Sequence, residues 1–163
     1  MLEILSVVTF DEAATHRVAA ALAEDLVPGD VVALEGNLGA GKTSFARGIC
    51  AALGVPWEAG FSSPTYAIVN LYEGGAHPVA HLDLYRMASA DDLEGVGFRD
   101  LLEDHWVVLV EWPDRIPEVL GDASVHVRLT DLGPERRSIS VSSREPARWE
   151  ALRTRQVVSE VPS

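Results

Sequence analysis

The stretch "VVALEGNLGAGKTSFARGI", Val31 to Ile49, decides how this chain is read. "VVALEG" is a short apolar run of the kind that forms a strand buried on both faces. "KTSFARGICAALG" has helical spacing and stops near Gly54 and Pro56. Between them, Gly36 to Thr43 fits the pattern Gly, four residues, Gly-Lys-Thr. Glycines let such a loop wrap with its N–H groups inward, which makes an anion nest. The helix that follows adds its positive end. Lys42 then reaches the outer phosphates of a nucleotide, and the Thr43 hydroxyl ligates Mg²⁺. The candidate nucleotide-binding residues here are Gly36, Asn37, Leu38, Gly39, Ala40, Gly41, Lys42, Thr43 and Ser44. The chain has thirteen basic residues, and Lys42 is its one lysine; the others are all Arg. A chain that prefers Arg has kept a compact ammonium at this position, where a point charge suits a phosphate.

Outward from this core, strands and helices alternate. "LEILSVV" reads as a first strand and "TFDEAATHRVAAALAEDL" as a helix, with Thr9 and Glu12 forming a capping box. "TYAIVNLYE" and "HPVAHLDLY" read as a hairpin joined through "GGA". "SADDLEGVGFRDLLEDH" reads as two short helices broken around Gly95 and Gly97, and "WVVLVEW" as a second buried strand. Pro113 and Pro117 flank a short helix or turn. "SVHVRLT" and "RRSISVSS" read as two strands separated by "DLGPE", and "REPARWEALRTRQ" as a final helix. The expectation is an α/β chain with a mixed central sheet, one domain over 1–155, and a frayed tail at 156–163.

Composition narrows the possibilities. With 163 residues and 47% hydrophobic content the chain can bury a substantial core. No apolar run approaches the roughly 18 residues that cross a bilayer. The start "MLEILSVVTF" lacks a basic region and a cleavage pattern. The single Cys50 excludes an internal disulfide and reads as a small buried hydrophobe, so the cytoplasm is expected. A net charge of −12 argues against direct, unaided binding of nucleic acid. The five His and one Cys show no metal-ligand spacing.

A Mg²⁺ site also wants an acid at the end of a neighbouring buried strand. Glu111 follows Val107 to Val110 and meets that need. In "HLDLYR", His81, Asp83 and Tyr85 share one strand face, with Leu82 and Leu84 on the other. Pattern alone leaves that face open between a site and the solvent side of an edge hairpin. Ser62, Ser63 and Thr65 lie around a loop where spacing favours turn chemistry at Pro64. "DLEG", Asp92 to Gly95, follows no apolar strand and reads as a helix start and stop. There is no N-K-x-D pattern for guanine. Arg136 and Arg137 are adjacent on a strand and point opposite ways, so at most one serves a given site.

Four segments in this order, "GNLGAGKTSFARG", "SPTYAIVN", "HLDLYR" and "VEWP", resemble the TsaE family, small bacterial phosphate-loop ATPases. The resemblance runs from about Thr9 to Pro113. It implies a three-layer phosphate-loop fold, ATP and Mg²⁺ as ligands, and Thr43 with Glu111 on the metal. It also implies a role for Asp83 in hydrolysis. Thr65 would resemble switch I, and Glu111 with Trp112 switch II. The segment at Thr9 would lie near the base. The implied partners are TsaD, which carries the transfer chemistry that makes threonylcarbamoyladenosine beside the tRNA anticodon, and TsaB. Position 37, often acidic in such proteins, is Asn37 here. A small-molecule kinase and a non-catalytic nucleotide switch are the alternatives. The first wants an Arg-bearing lid, and "FRDLLEDH" offers only Arg99.

Overall fold

The computed structural model describes residues 1–56, 69–103 and 105–155. Seven strands form one sheet in the order β1-β7-β6-β2-β5-β4-β3. They are β1 (Leu2–Thr9), β2 (Val31–Glu35), β3 (Val69–Tyr72), β4 (Val79–Asp83), β5 (Val107–Glu111), β6 (Val125–Gly133) and β7 (Arg136–Ser143). β2 pairs in parallel with β5 and β6, and β5 with β4. The β1/β7, β6/β7 and β3/β4 pairs are antiparallel. The sheet is therefore mixed, as the hairpins in the sequence imply.

Helices cover both faces. On one face α1 (Glu12–Ala23), α2 (Lys42–Ala52) and α6 (Glu150–Thr154) pack on Val32, Leu34, Val107, Leu109, Val125 and Val127. On the other, α3 (Ala90–Gly95), α4 (Phe98–Glu103) and α5 (Pro117–Asp122) pack on Val31, Ala80, Leu82, Val108 and Val110. Neighbours such as Val31 and Val32 go to opposite cores because successive strand side chains alternate. β2 and β5 are thus apolar at nearly every position. Each fully buried Val or Leu contributes about 1.5–3 kcal/mol of apolar transfer. α1 and α2 touch closely where Gly48 faces Ala19: a Cβ on Gly48 would stand 2.8 Å from that of Ala19.

Four local readings change. The first helix is capped by Asp11, whose side chain accepts from the Ala14 amide at 2.7 Å, and not by a Thr9–Glu12 box. Thr9 is still within β1, and its hydroxyl bonds Thr15 Oγ1 at 2.8 Å rather than capping a first-turn amide. The "DLGPE" connection shrinks to Pro134 and Glu135, because β6 runs on to Gly133, which pairs with Arg136. The last helix opens as a 3-10 turn over Pro146–Trp149 before α6, with Trp149 fully buried. β4 is an interior strand between β3 and β5, so the solvent-face reading of His81 and Asp83 falls: they are 0% and 6% exposed. Tyr85 lies beyond the strand end and is largely exposed.

The two helices broken at Gly95 and Gly97 stand as read, and α3 begins where Asp92 accepts from the Ser89 amide. Cys50 is fully buried, and burial pushes its thiol up to about 12. Among the described residues no helix is long and apolar enough to cross a membrane.

Candidate functional site

β2 is the central strand, and Gly36 to Gly41 leave its carboxyl end and feed directly into α2. Ligands of open parallel sheets gather at this edge. Gly39 and Gly41 take φ values of 80° and 104°, which only glycine adopts without strain. Gly36 passes so close to β6 that a Cβ there would stand 2.6 Å from the Leu129 carbonyl oxygen. The loop glycines are thus required by the backbone path.

Lys42 is buried at the start of α2. Its Nζ donates to the carbonyls of Gly36, at 2.6 Å, and Asn37, at 3.0 Å. It also lies 4.1 Å from the ring centroid of Trp112, a cation–π distance. Burial lowers its pKa, against the opposing fields of Glu111, Asp83 and Asp114. This ammonium is held by dipoles and a ring while three acids surround it at longer range.

The acids come from two paired strands. Asp83 and Glu111 are in register at the ends of β4 and β5, and both are buried. Glu111 is held at both oxygens: Thr43 Oγ1 donates to Oε1 at 3.0 Å and His81 Nε2 to Oε2 at 2.6 Å. Asp83 Oδ1 accepts from the Tyr85 amide at 2.9 Å. A cleft of about 280 Å³ opens above them, lined by Leu38, Gly39, Gly41, Lys42, Thr43, Ser44, Asp83, Glu111 and Trp112. Trp112 takes φ 59° and ψ 48°, a left-handed conformation that costs a non-glycine residue about 1–2 kcal/mol. Strain of that kind clusters at functional sites. It turns the Trp112 ring between Lys42 and Tyr85, whose ring centroid is 4.9 Å away.

The structure therefore brings together Lys42, Thr43, Ser44, Asp83 and Glu111. Asn37 and Leu38 sit at the exposed tip of the loop, while Ala40 is buried beneath it. Thr9 is buried behind Thr15. Ser62, Ser63 and Thr65 lie outside the described residues. Sequence reasoning missed the His81 bond to Glu111 and the Trp112–Lys42 contact. The first had half a signal: His81 shares a strand face with Asp83, but that Glu111 of β5 lies in register beside Asp83 is set by strand pairing. The second depends on one backbone angle and had none.

Hydroxyl and carboxylate oxygens are the hard donors that Mg²⁺ prefers, and Thr43 and Glu111 present both within 3.0 Å of each other. A mixed sheet of this order, with a glycine loop between its central strand and α2, defines an α/β protein of the phosphate-loop class. The sequence model of the family described as "Threonylcarbamoyl adenosine biosynthesis protein TsaE" matches residues 9–139, and the chain belongs to that family. It is 36% identical over 129 residues to the tRNA threonylcarbamoyladenosine biosynthesis protein TsaE of Bacillus subtilis, covering 79% of each chain. The protein of the same name from Treponema pallidum is 34% identical over 72% of this chain and 84% of its own. The crystal structure of Bacillus subtilis YdiB matches with a TM-score of 0.72 at 27% identity, over 93% of this chain and 96% of that one.

Proposed function

We propose that the chain is a Mg²⁺-dependent ATPase that serves as an accessory subunit in tRNA threonylcarbamoyladenosine formation. It supports a TsaD-like and a TsaB-like protein in the cytoplasm and meets tRNA only through that complex. The observation that carries this reading is the convergence of Lys42, Thr43, Asp83 and Glu111 on one cleft at the end of β2.

In this reading the loop amides and Lys42 receive the phosphates of ATP. Thr43 and Glu111 hold Mg²⁺, which when bound neutralises charge on the outer phosphates. His81 keeps the Glu111 carboxylate turned toward Thr43. Asp83, beside Glu111 across the β4–β5 pair, orients the attacking water. Thr65 takes the switch role that the family resemblance assigns to its loop.

The test is ATP turnover by the purified protein, alone and then with the same organism's TsaD and TsaB. Slow turnover that rises with the pair supports the accessory role. Turnover unmoved by the pair, with phosphoryl transfer to a small hydroxyl acceptor, would replace it with a kinase.

A further inference from the structure

A second cleft of about 200 Å³ opens on the other side of the loop, lined by Glu12, Thr15, Gly41, Ser44, Glu135 and Arg137. It shares Gly41 and Ser44 with the first cleft, so the two meet across the start of α2. The inference drawn from it rests on the nucleotide reading above. Lys42 and Thr43 mark the outer-phosphate end of a nucleotide in such a loop. Its inner phosphate and nucleoside must then leave across Gly41 and Ser44, into the second cleft.

Arg137 is the one basic residue among those that line this second cleft. Its fork is anchored from behind. Nη1 donates to Asp131 Oδ1 at 3.2 Å and to the carbonyls of Gly133, at 3.2 Å, and Arg136, at 2.8 Å. All of its hydrogen bonds among the described residues use that one nitrogen. Nε instead faces the loop, 3.6 Å from where a Cβ would stand on Gly41. Gly41, at φ 104°, keeps that approach free of a side chain. Arg136, the neighbour, points away and stacks over Phe10 at 5.6 Å. Glu12 and Glu135 bring two negative charges to the same cleft, which would repel a phosphate unless a cation stood between.

We propose that Arg137 is a nucleotide-contacting residue, delivered by β7 to the inner phosphate at the junction of the two clefts. A guanidinium already held by one nitrogen loses little freedom when its remaining donors meet a phosphate.

The test is the dissociation constant of ADP with Mg²⁺, measured by calorimetry on the whole chain. Arg137→Gln should bind ADP about tenfold more weakly. Arg137→Lys should fall between it and the wild type, and Arg136→Gln should stay within about twofold. An Arg137→Gln protein that binds as tightly as wild type overturns the proposal. A wild-type protein that takes up no ADP overturns the nucleotide reading itself and the proposal with it. Where Arg137→Gln melts early, the Arg137 Nε–Hε resonance of the wild type replaces it. A shift on adding ADP supports the contact, and an unmoved resonance overturns it.

Discussion

At the carboxyl ends of β2 and β5, the buried Lys42 and Glu111 are held by groups other than each other. Lys42 rests on two carbonyls and a ring, and Glu111 is shared by a threonine and a histidine. Around β1 and the C-terminal segment the charges close in forks and pairs. Arg148 Nη1 meets Asp30 Oδ1 at 2.6 Å, and its Nη2 reaches the other oxygen. Arg155 holds Asp25 by both oxygens and also the Ala21 carbonyl. Arg153 donates to the Ile4 and Glu3 carbonyls of β1. A satisfied fork fastens one element to another. A surplus of donors and acceptors in a cleft leaves work for a ligand.

The contrast predicts which changes lose binding and which lose stability. The largest effect is expected for Lys42→Ala: nucleotide affinity falls about 100-fold, since a charged hydrogen-bond donor is lost, while the melting temperature holds. Retained ADP binding in a well-folded variant would break the comparison at once. Glu111→Gln should bind ADP within about threefold of wild type yet turn over ATP about tenfold more slowly and need more Mg²⁺. Unchanged turnover would move the metal ligand elsewhere.

Asp30→Ala tests the opposite side. Asp30 is 3% exposed and accepts from the Val27 amide as well as from Arg148. Its loss should cost about 2 kcal/mol of stability in urea melts, below the full buried-pair value because Arg148 is partly solvated. ADP affinity should not move. A binding defect of equal size would show that the two regions are not separate.

The smallest effect concerns Cys50. Its pKa rises from an ordinary 9.0 to about 12 on folding through burial. The raised folded value means that the thiol's contribution is complete below pH 9 and is lost as pH climbs toward 12. At pH 10 wild type should have lost about 1 kcal/mol relative to Cys50→Ala, compared with the same pair at pH 8. Parallel stability curves for the two proteins would refute this.

Much of the parallel half was legible because its signals are local. An apolar strand, a glycine loop and a helix in succession need no tertiary information, and Glu111 stood out directly after four apolar residues. Asp83 was undecided until β4 proved to be interior, since alternation names a face but not what covers it. The first helix cap slipped by two residues because Thr9 is also a good strand residue, and pairing with Arg137 kept it in β1. The place of Arg137 beside Gly41 depends on the β6–β7 hairpin folding back past α2, a pairing nearly a hundred residues removed from the loop. Nothing in the residues near either position announces it.

The solitary lysine has a consequence for the bench. Among side chains, acylating dyes and biotin esters find one amine target, Lys42. A lysine with a lowered pKa carries more free amine at neutral pH than a surface lysine would. Labelling of side-chain amines in this protein is therefore labelling of its cleft. A reagent that is otherwise a nuisance becomes an occupancy assay: whatever fills the loop slows the reaction at Lys42, and mass spectrometry of the peptide that carries Lys42 reads the result.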